Sequence, residues 1–139
     1  MKSRDGTVAE RFDLVIFDCD GVVVDSERIV QEVFAQFLRE IGVVLPAREM
    51  HERFLGRRLA DCVAIAEEIS GRPVPPGALE EYKQQRDRVL RERVQPVAGV
   101  RAVLESLTLP FCIASSGDHA KMATRLGATS LLPLFAGKL

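Results

Sequence analysis

Two kinds of hydrophobic pattern divide the chain. A short apolar run occurs near each end, at Leu14 to Phe17 and at Phe111 to Ala114, and each is followed by polar and small residues. Runs of this length, bounded by turn-forming residues, predict strands that are buried on both faces, as in a parallel sheet. The first strand is predicted over Phe12 to Phe17.

Between the two strands, apolar residues recur at the 3.6-residue spacing of helices, and no alternating segment occurs. The first predicted helix follows Ser26, a favourable N-cap, and stops at Gly42. Further helices are predicted over 48–54, 59–69, 78–94, 100–107 and 118–126. The sequence therefore predicts an α/β fold, with a core made of residues 1–26 and 95–139 and an inserted helical segment, residues 27–94.

Composition narrows the class of protein without identifying a function. The 139 residues are 47% hydrophobic, which is enough for a core, but no apolar run approaches the ~20 residues that span a bilayer. The first residues lead into no signal-peptide segment, and the three cysteines are far apart, so we expect a reduced, cytoplasmic protein. The formal net charge of -1 gives no indication that nucleic acid or a membrane surface is a partner.

Both predicted strands end in residues that suit phosphate chemistry. Asp18 and Asp20 follow the first strand, and Ser115, Ser116 and Gly117 follow the second. Ligands of open α/β sheets bind beyond the carboxyl ends of the strands. Alternation along an extended chain places the two carboxylates on one side, with Cys19 opposite. Their repulsion would be offset by a hard cation such as Mg²⁺.

This arrangement supports phosphoryl transfer, although other uses remain open. One carboxylate can attack phosphorus and form an aspartyl-phosphate, while the other acts as general acid and then as base. Gly21 permits a sharp turn, and Ser115 can donate a hydrogen bond to a phosphoryl oxygen. On spacing alone, the same Asp-x-Asp-Gly pattern also fits Ca²⁺ loops, sugar-nucleotide enzymes, and a turn whose aspartates only cap the backbone.

The stretch FDCDGVVVDSE, residues 17–27, resembles the first motif of the haloacid dehalogenase superfamily of phosphohydrolases. With a helical insert and then PVAGV, the chain is similar to the branch that holds beta-phosphoglucomutase and sugar-phosphate phosphatases. Lys121-Met122 add a similarity to its 6-phosphogluconate phosphatase-like members. The resemblance implies a Rossmann-like core with a helical cap over residues 27–94. It also implies a Mg²⁺-dependent phosphatase that acts on a small phosphorylated metabolite, such as a sugar phosphate.

The resemblance also implies a role for individual residues. Asp18 would be the nucleophile and a Mg²⁺ ligand, and Asp20 the general acid/base, with its backbone carbonyl on the metal. Ser115 would hold the transferring phosphoryl group, assisted by backbone N–H groups near Gly21 and Ser116. The cap would close over the site and exclude water.

Other positions of the cap and hinge receive less specific expectations. Arg57 and Arg58, in FLGRR, lie where the resemblance implies a substrate loop, although surface charge is an equal interpretation. Asp25 and Glu27 are expected to stabilise the hinge and the first cap helix rather than to touch substrate. The phosphomutases carry a histidine in that helix, whereas Ile29 and Val30 occupy that region of this chain, which favours a phosphatase over a phosphomutase.

A second departure concerns the end of the chain. The family continues with a lysine motif and a pair of acidic residues, and neither follows the Ser115 strand; Lys138 is too early to be that lysine. The sequence therefore resembles about three-fifths of such an enzyme, and a catalytically incompetent fragment or binding module is the alternative function. We expect the Asp18 strand to be an exposed sheet edge, through which the chain can self-associate.

Overall fold

The computed structural model describes residues 12–115 and 118–137. The strands are β1 (Val15–Asp18), β2 (Val24–Asp25), β3 (Gln95–Pro96) and β4 (Phe111–Ala114). The α-helices are α1 (Glu27–Glu40), α2 (Ala47–Phe54), α3 (Leu59–Ser70), α4 (Ala78–Arg93), α5 (Val100–Ser106) and α6 (His119–Ala128), and a 3₁₀ helix spans Leu132–Phe135. Among these described elements, no helix is long and apolar enough to cross a membrane.

The two predicted strands form a parallel pair, as expected from their apolar character. In the register of β1 and β4, Val15 lies opposite Phe111 and Asp18 opposite Ala114. The α/β fold class is confirmed. The strand begins at Val15 rather than at Phe12, which lies outside the paired segment.

The expectation that β1 is buried on both faces is wrong for this chain. Ile16 is 62% exposed and Leu14 46% exposed, whereas Val15 and Phe17 on the opposite face are half-buried. Within the described residues β1 pairs with β4 alone, and no described element covers the face that carries Ile16.

The chain divides into two compact units. One, here called the helical unit, is Arg28–Val89; the other, the core unit, is formed by the described parts of Met1–Glu27 and Leu90–Leu139. Within the helical unit, four aromatic rings pack in contact, with centroid distances of 5.1–5.9 Å: Phe34, Phe37, Phe54 and Tyr82. The predicted helical spacing thus produces an aromatic core of its own.

Two strands of the core unit flank the helical segment in sequence. β2 pairs antiparallel with β3, so that Val24 lies opposite Pro96 and Asp25 opposite Gln95. The chain therefore leaves the core unit and returns to it through neighbouring, hydrogen-bonded segments.

The rest of the core unit is packed behind β4. Phe111 meets Phe135 of the 3₁₀ helix edge-to-face at 5.5 Å, and Phe135 and Leu126 are fully buried. Asp118 caps α6 as predicted, and its side chain accepts a hydrogen bond from the Lys121 backbone N–H at 2.8 Å. This cap fixes where α6 leaves the end of the β4 strand.

Candidate active site

A tight turn, residues 19–23, follows β1 and is here called the acidic turn. Asp18 is the last residue of β1, and Asp20 lies within the turn. The backbone N–H groups of Val23 and Val24 both donate to the Cys19 carbonyl at 3.0 Å. Gly21 has a φ of +76°, a conformation that favours glycine, and its N–H donates to the Val24 carbonyl at 2.8 Å. The turn therefore reverses the chain within a few residues, and the Gly21 N–H is used inside it.

Asp18 lies at the carboxyl end of β1, where the sequence predicted it. Its carboxylate is exposed, and Oδ1 accepts a hydrogen bond from the Cys19 backbone N–H at 2.8 Å. This local bond holds one oxygen at the strand end. The side chain is thereby oriented without being buried.

Asp20 is held by two side chains from different parts of the core unit. Oδ1 accepts from the Ser26 hydroxyl at 2.7 Å, and Oδ2 accepts from Arg125 Nη1 at 2.5 Å. The side chain of Asp20 is 37% exposed and that of Arg125 only 16% exposed. Charge-assisted bonds of this kind are stronger than neutral ones, so the carboxylate is fixed in one orientation.

Cys19 separates the two aspartates and faces the interior. It is fully buried, whereas Asp18 is exposed and Asp20 partly exposed, in agreement with the predicted alternation. Burial, with the nearby Asp20 charge as a lesser cause, raises the pKa of the Cys19 thiol to about 11. The thiol is therefore protonated at neutral pH and packs as a small apolar side chain.

Ser115 lies beside the acidic turn through the sheet register. It directly follows Ala114, the residue of β4 that pairs with Asp18, and neighbouring strands are about 4.8 Å apart. The pairing thus brings the two predicted strand ends to one edge. Ser116, the second predicted phosphate-binding residue on this strand, lies outside the described residues.

The two predicted cap arginines belong to the helical unit. Arg58 precedes α3, and its Nε lies 3.0 Å from Asp61 Oδ2 in an exposed ion pair. Arg57 follows Gly56, and its backbone N–H donates to the Phe54 carbonyl at 3.3 Å. One of the two charges is thus already balanced by a neighbouring carboxylate.

Arg125 is a residue that the sequence reasoning missed. It lies 105 positions from Asp20, yet it supplies the positive charge beside the acidic turn. A signal was present, because Arg125 lies on the α6 stripe that also carries the buried Met122 and Leu126. A positively charged residue on the buried stripe of a helix is expected to pair with a negatively charged residue.

Ser26 also has a role that the sequence did not suggest. It was predicted as an N-cap, and it does immediately precede α1, but its buried hydroxyl donates to the Asp20 carboxylate. Two donors thus offset the repulsion within the acidic pair, where the sequence had suggested a metal alone. Among the described residues there is no group of three or more His, Cys, Asp or Glu side chains suited to hold a metal.

Comparison with known proteins identifies the class. Residues 15–136 match the family model described as haloacid dehalogenase-like hydrolase, so the chain belongs to that family. The resemblance seen in the sequence is confirmed, and with it the Rossmann-like character of the core.

Individual relatives agree with this assignment. The chain is 31% identical over 130 residues to the 6-phosphogluconate phosphatase of Escherichia coli, covering 93% of this chain and 59% of that protein. A conserved haloacid dehalogenase-like protein of unknown function from Agrobacterium tumefaciens is 35% identical with a TM-score of 0.82, and 91% of this chain covers 57% of it.

A third relative was solved with ligands. The structure of a haloacid dehalogenase family hydrolase from Deinococcus radiodurans, with bound phosphate and sodium, has 28% identity and a TM-score of 0.73. It is matched by 88% of this chain, which covers 55% of it. The chain therefore spans somewhat under three-fifths of the length of these three relatives.

Proposed function

We propose that the protein is a Mg²⁺-dependent phosphatase that hydrolyses a small phosphorylated metabolite, most simply a sugar phosphate, through an aspartyl-phosphate. The observation that carries this proposal is the placement of exposed Asp18 at the end of β1, one strand away from Ser115. The similarity to a 6-phosphogluconate phosphatase supports the substrate class. The three cysteines are free thiols, which supports a reducing, cytoplasmic location.

The proposed reaction has two steps at one phosphorus atom. A carboxylate oxygen of Asp18 attacks phosphorus, the bond from phosphorus to the ester oxygen breaks, and Asp20, which enters this step protonated on Oδ1, gives that proton to the ester oxygen. A water molecule then attacks the aspartyl-phosphate and gives a proton to the Asp20 carboxylate. The phosphorus–oxygen bond to Asp18 breaks, which releases inorganic phosphate and restores both side chains.

The described donors fit a magnesium ion of the kind that binds together with substrate. Mg²⁺ prefers oxygen ligands and is commonly held by one or two carboxylates, water and substrate phosphate. Asp18 offers an exposed carboxylate, and Asp20 would contribute its backbone carbonyl, since its carboxylate oxygens are bonded to Ser26 and Arg125. When bound, the ion would neutralise charge on the phosphoryl oxygens.

The other predicted residues have supporting parts in this proposal. The Ser115 hydroxyl would donate to a phosphoryl oxygen, with backbone N–H groups near Ser116 and Gly21 assisting if the turn relaxes. The helical segment, residues 27–94, would act as the cap that excludes water, and Arg57 or Arg58 would bind the substrate's anionic end. α1 contains no histidine, which favours a phosphatase over a phosphomutase.

The test is to trap the covalent intermediate in the full-length protein. With p-nitrophenyl phosphate and Mg²⁺, the wild type should turn over and Asp18→Asn should lose activity by at least about a thousandfold, as expected for removal of a nucleophile. Quenched samples analysed by mass spectrometry should carry a phosphoryl group on Asp18. Asp13→Asn, which changes an exposed aspartate just before β1, is the matched control and should retain activity.

Two results would overturn the proposal. Turnover that survives Asp18→Asn would show that another group attacks phosphorus. If no phosphate ester or sugar phosphate is hydrolysed by the wild type while inorganic phosphate still binds, the protein is a binding module, the alternative function.

A further inference from the structure

The Asp20 carboxylate is the most heavily supported polar group of the acidic turn. Each of its oxygens has a separate donor, Ser26 on Oδ1 at 2.7 Å and Arg125 on Oδ2 at 2.5 Å. The two donors are chemically unlike. A serine hydroxyl rotates freely and makes a neutral O–H donor, whereas a guanidinium is always charged and geometrically rigid.

The position of Arg125 is fixed from both sides. α6 begins at the Asp118 cap, a few residues after Ser115, and its neighbours Met122 and Leu126 are buried in the core unit. The Arg125 side chain is 16% exposed, so little solvent competes for its charge. α6, which follows β4, therefore places a guanidinium beside the acidic turn that follows β1.

We infer that Arg125 is a positioning residue for the proton transfer assigned above to Asp20, an inference that rests on the proposed function. Arg125 holds Oδ2, and the weaker, rotatable Ser26 hydroxyl yields Oδ1 to the ester oxygen of the substrate. The guanidinium thus keeps the carboxyl group aimed while one oxygen changes its partner. Without it, the Asp20 side chain can rotate away from the leaving group.

A purely structural role makes a different prediction. Arg125 also ties α6 to the turn after β1, so its loss could simply loosen the core unit. Arg101 offers the matched case, because its guanidinium ties α5 to the Ser130 carbonyl at 2.7 Å within the same unit but away from Asp20. Loss of either tie should lower the melting temperature, but only one of them should affect proton donation.

The experiment compares two leaving groups in the full-length protein. p-Nitrophenyl phosphate releases a stable anion that needs little protonation, whereas an alkyl or sugar phosphate needs a proton on its leaving oxygen. Because general acid catalysis contributes about 10²–10⁴-fold, Arg125→Gln should lower kcat for a sugar phosphate by about 10–100-fold. Its kcat for p-nitrophenyl phosphate should fall less than about threefold, with KM nearly constant.

Two further variants serve as controls. Arg125→Lys should recover part of the kcat lost with the sugar phosphate, and Arg101→Gln should show no dependence on the leaving group.

The same variants separate failure of this inference from failure of the proposed function. Asp20→Asn should show the leaving-group dependence most strongly; if it does not, the acid role of Asp20 is wrong. If Asp20→Asn shows it and Arg125→Gln lowers both rates equally, Arg125 is only a structural tie. In thermal melts with EDTA, the losses of melting temperature caused by Asp20→Asn and Arg125→Gln should also be less than additive, because both substitutions remove the same bond between these two side chains.

Discussion

The carboxylate of Glu27 lies directly over Gly21 in the turn that follows the acidic pair. A Cβ atom built on Gly21 would be 3.0 Å from Glu27 Oε1 and 3.1 Å from its Cδ. The first residue of α1 is thus seated against the turn that carries Asp20. The expectation that Glu27 stabilises the hinge and the first helix stays a prediction.

Gly21→Ala should therefore destabilise the core unit for two separate reasons. Its φ of +76° costs a residue with a Cβ about 1–2 kcal/mol, and Glu27 would also have to move. Gly99→Ala is the matched control, because Gly99 has a φ of +82° and a Cβ atom added there would meet no atom within 4 Å. In urea unfolding, Gly21→Ala should cost more than Gly99→Ala. Addition of Glu27→Ala should remove the excess; an excess that persists would mean that the extra cost does not come from the contact with Glu27.

The cap of α6 gives a pH dependence of stability. The hydrogen bond donated by the Lys121 backbone N–H lowers the pKa of the Asp118 carboxyl below its usual value. A lowered folded-state pKa contributes stability above the unfolded pKa of about 3.9, and this contribution is lost as pH falls through the folded-state pKa.

Asp118→Asn should test that dependence directly. The amide can still cap the helix but does not titrate, so the difference in melting temperature between wild type and Asp118→Asn should shrink as pH is lowered from 6 towards about 3. Asp25→Asn, at an exposed aspartate of β2, is the control. A constant difference across this pH range would contradict the capping assignment.

Removal of Phe135 should test the packing behind β4. The ring is fully buried and lies edge-to-face against Phe111 at 5.5 Å. Phe135→Ala should lower the free energy of unfolding by about 3–5 kcal/mol, because it removes apolar contacts and leaves a cavity. Phe12→Ala, at a ring that is 59% exposed, should cost far less. Equal costs in a denaturant titration would show that Phe135 is not packed as described.

The exposed face of β1 should make the 139-residue chain self-associate. Ile16 of β1 and the preceding Leu14 expose apolar side chains, and the described residues of β1 pair only with β4. Such an edge is a template for another chain. Ile16→Lys should reduce concentration-dependent association in light scattering, whereas Val44→Lys, at a residue of the helical unit that is 76% exposed, should not. A wild-type chain that stays monomeric at high concentration would contradict this prediction.

The amino-acid sequence by itself determined the local elements, because their causes are local. The apolar 3.6-residue spacing predicted α1, the Asp118 side chain predicted the start of α6, and Gly71 ends α3 with its φ of +67°. The two apolar runs predicted a parallel pair, and the residues after them predicted which strand ends carry the chemistry.

The tertiary structure alone decided how the acidic turn is balanced and which face of β1 is covered. The bond between Asp20 and Arg125 joins residues 105 positions apart, and no spacing rule relates them. The bond from the Ser26 hydroxyl to Asp20 was likewise not predicted, because a hydroxyl before a helix indicates an N-cap and names no other partner. The apolar run by itself predicted that Ile16 is buried, because the identity of an apolar residue does not indicate which face of its strand is covered. Burial and charge pairing depend on which elements meet in space, and that information is not local in the chain.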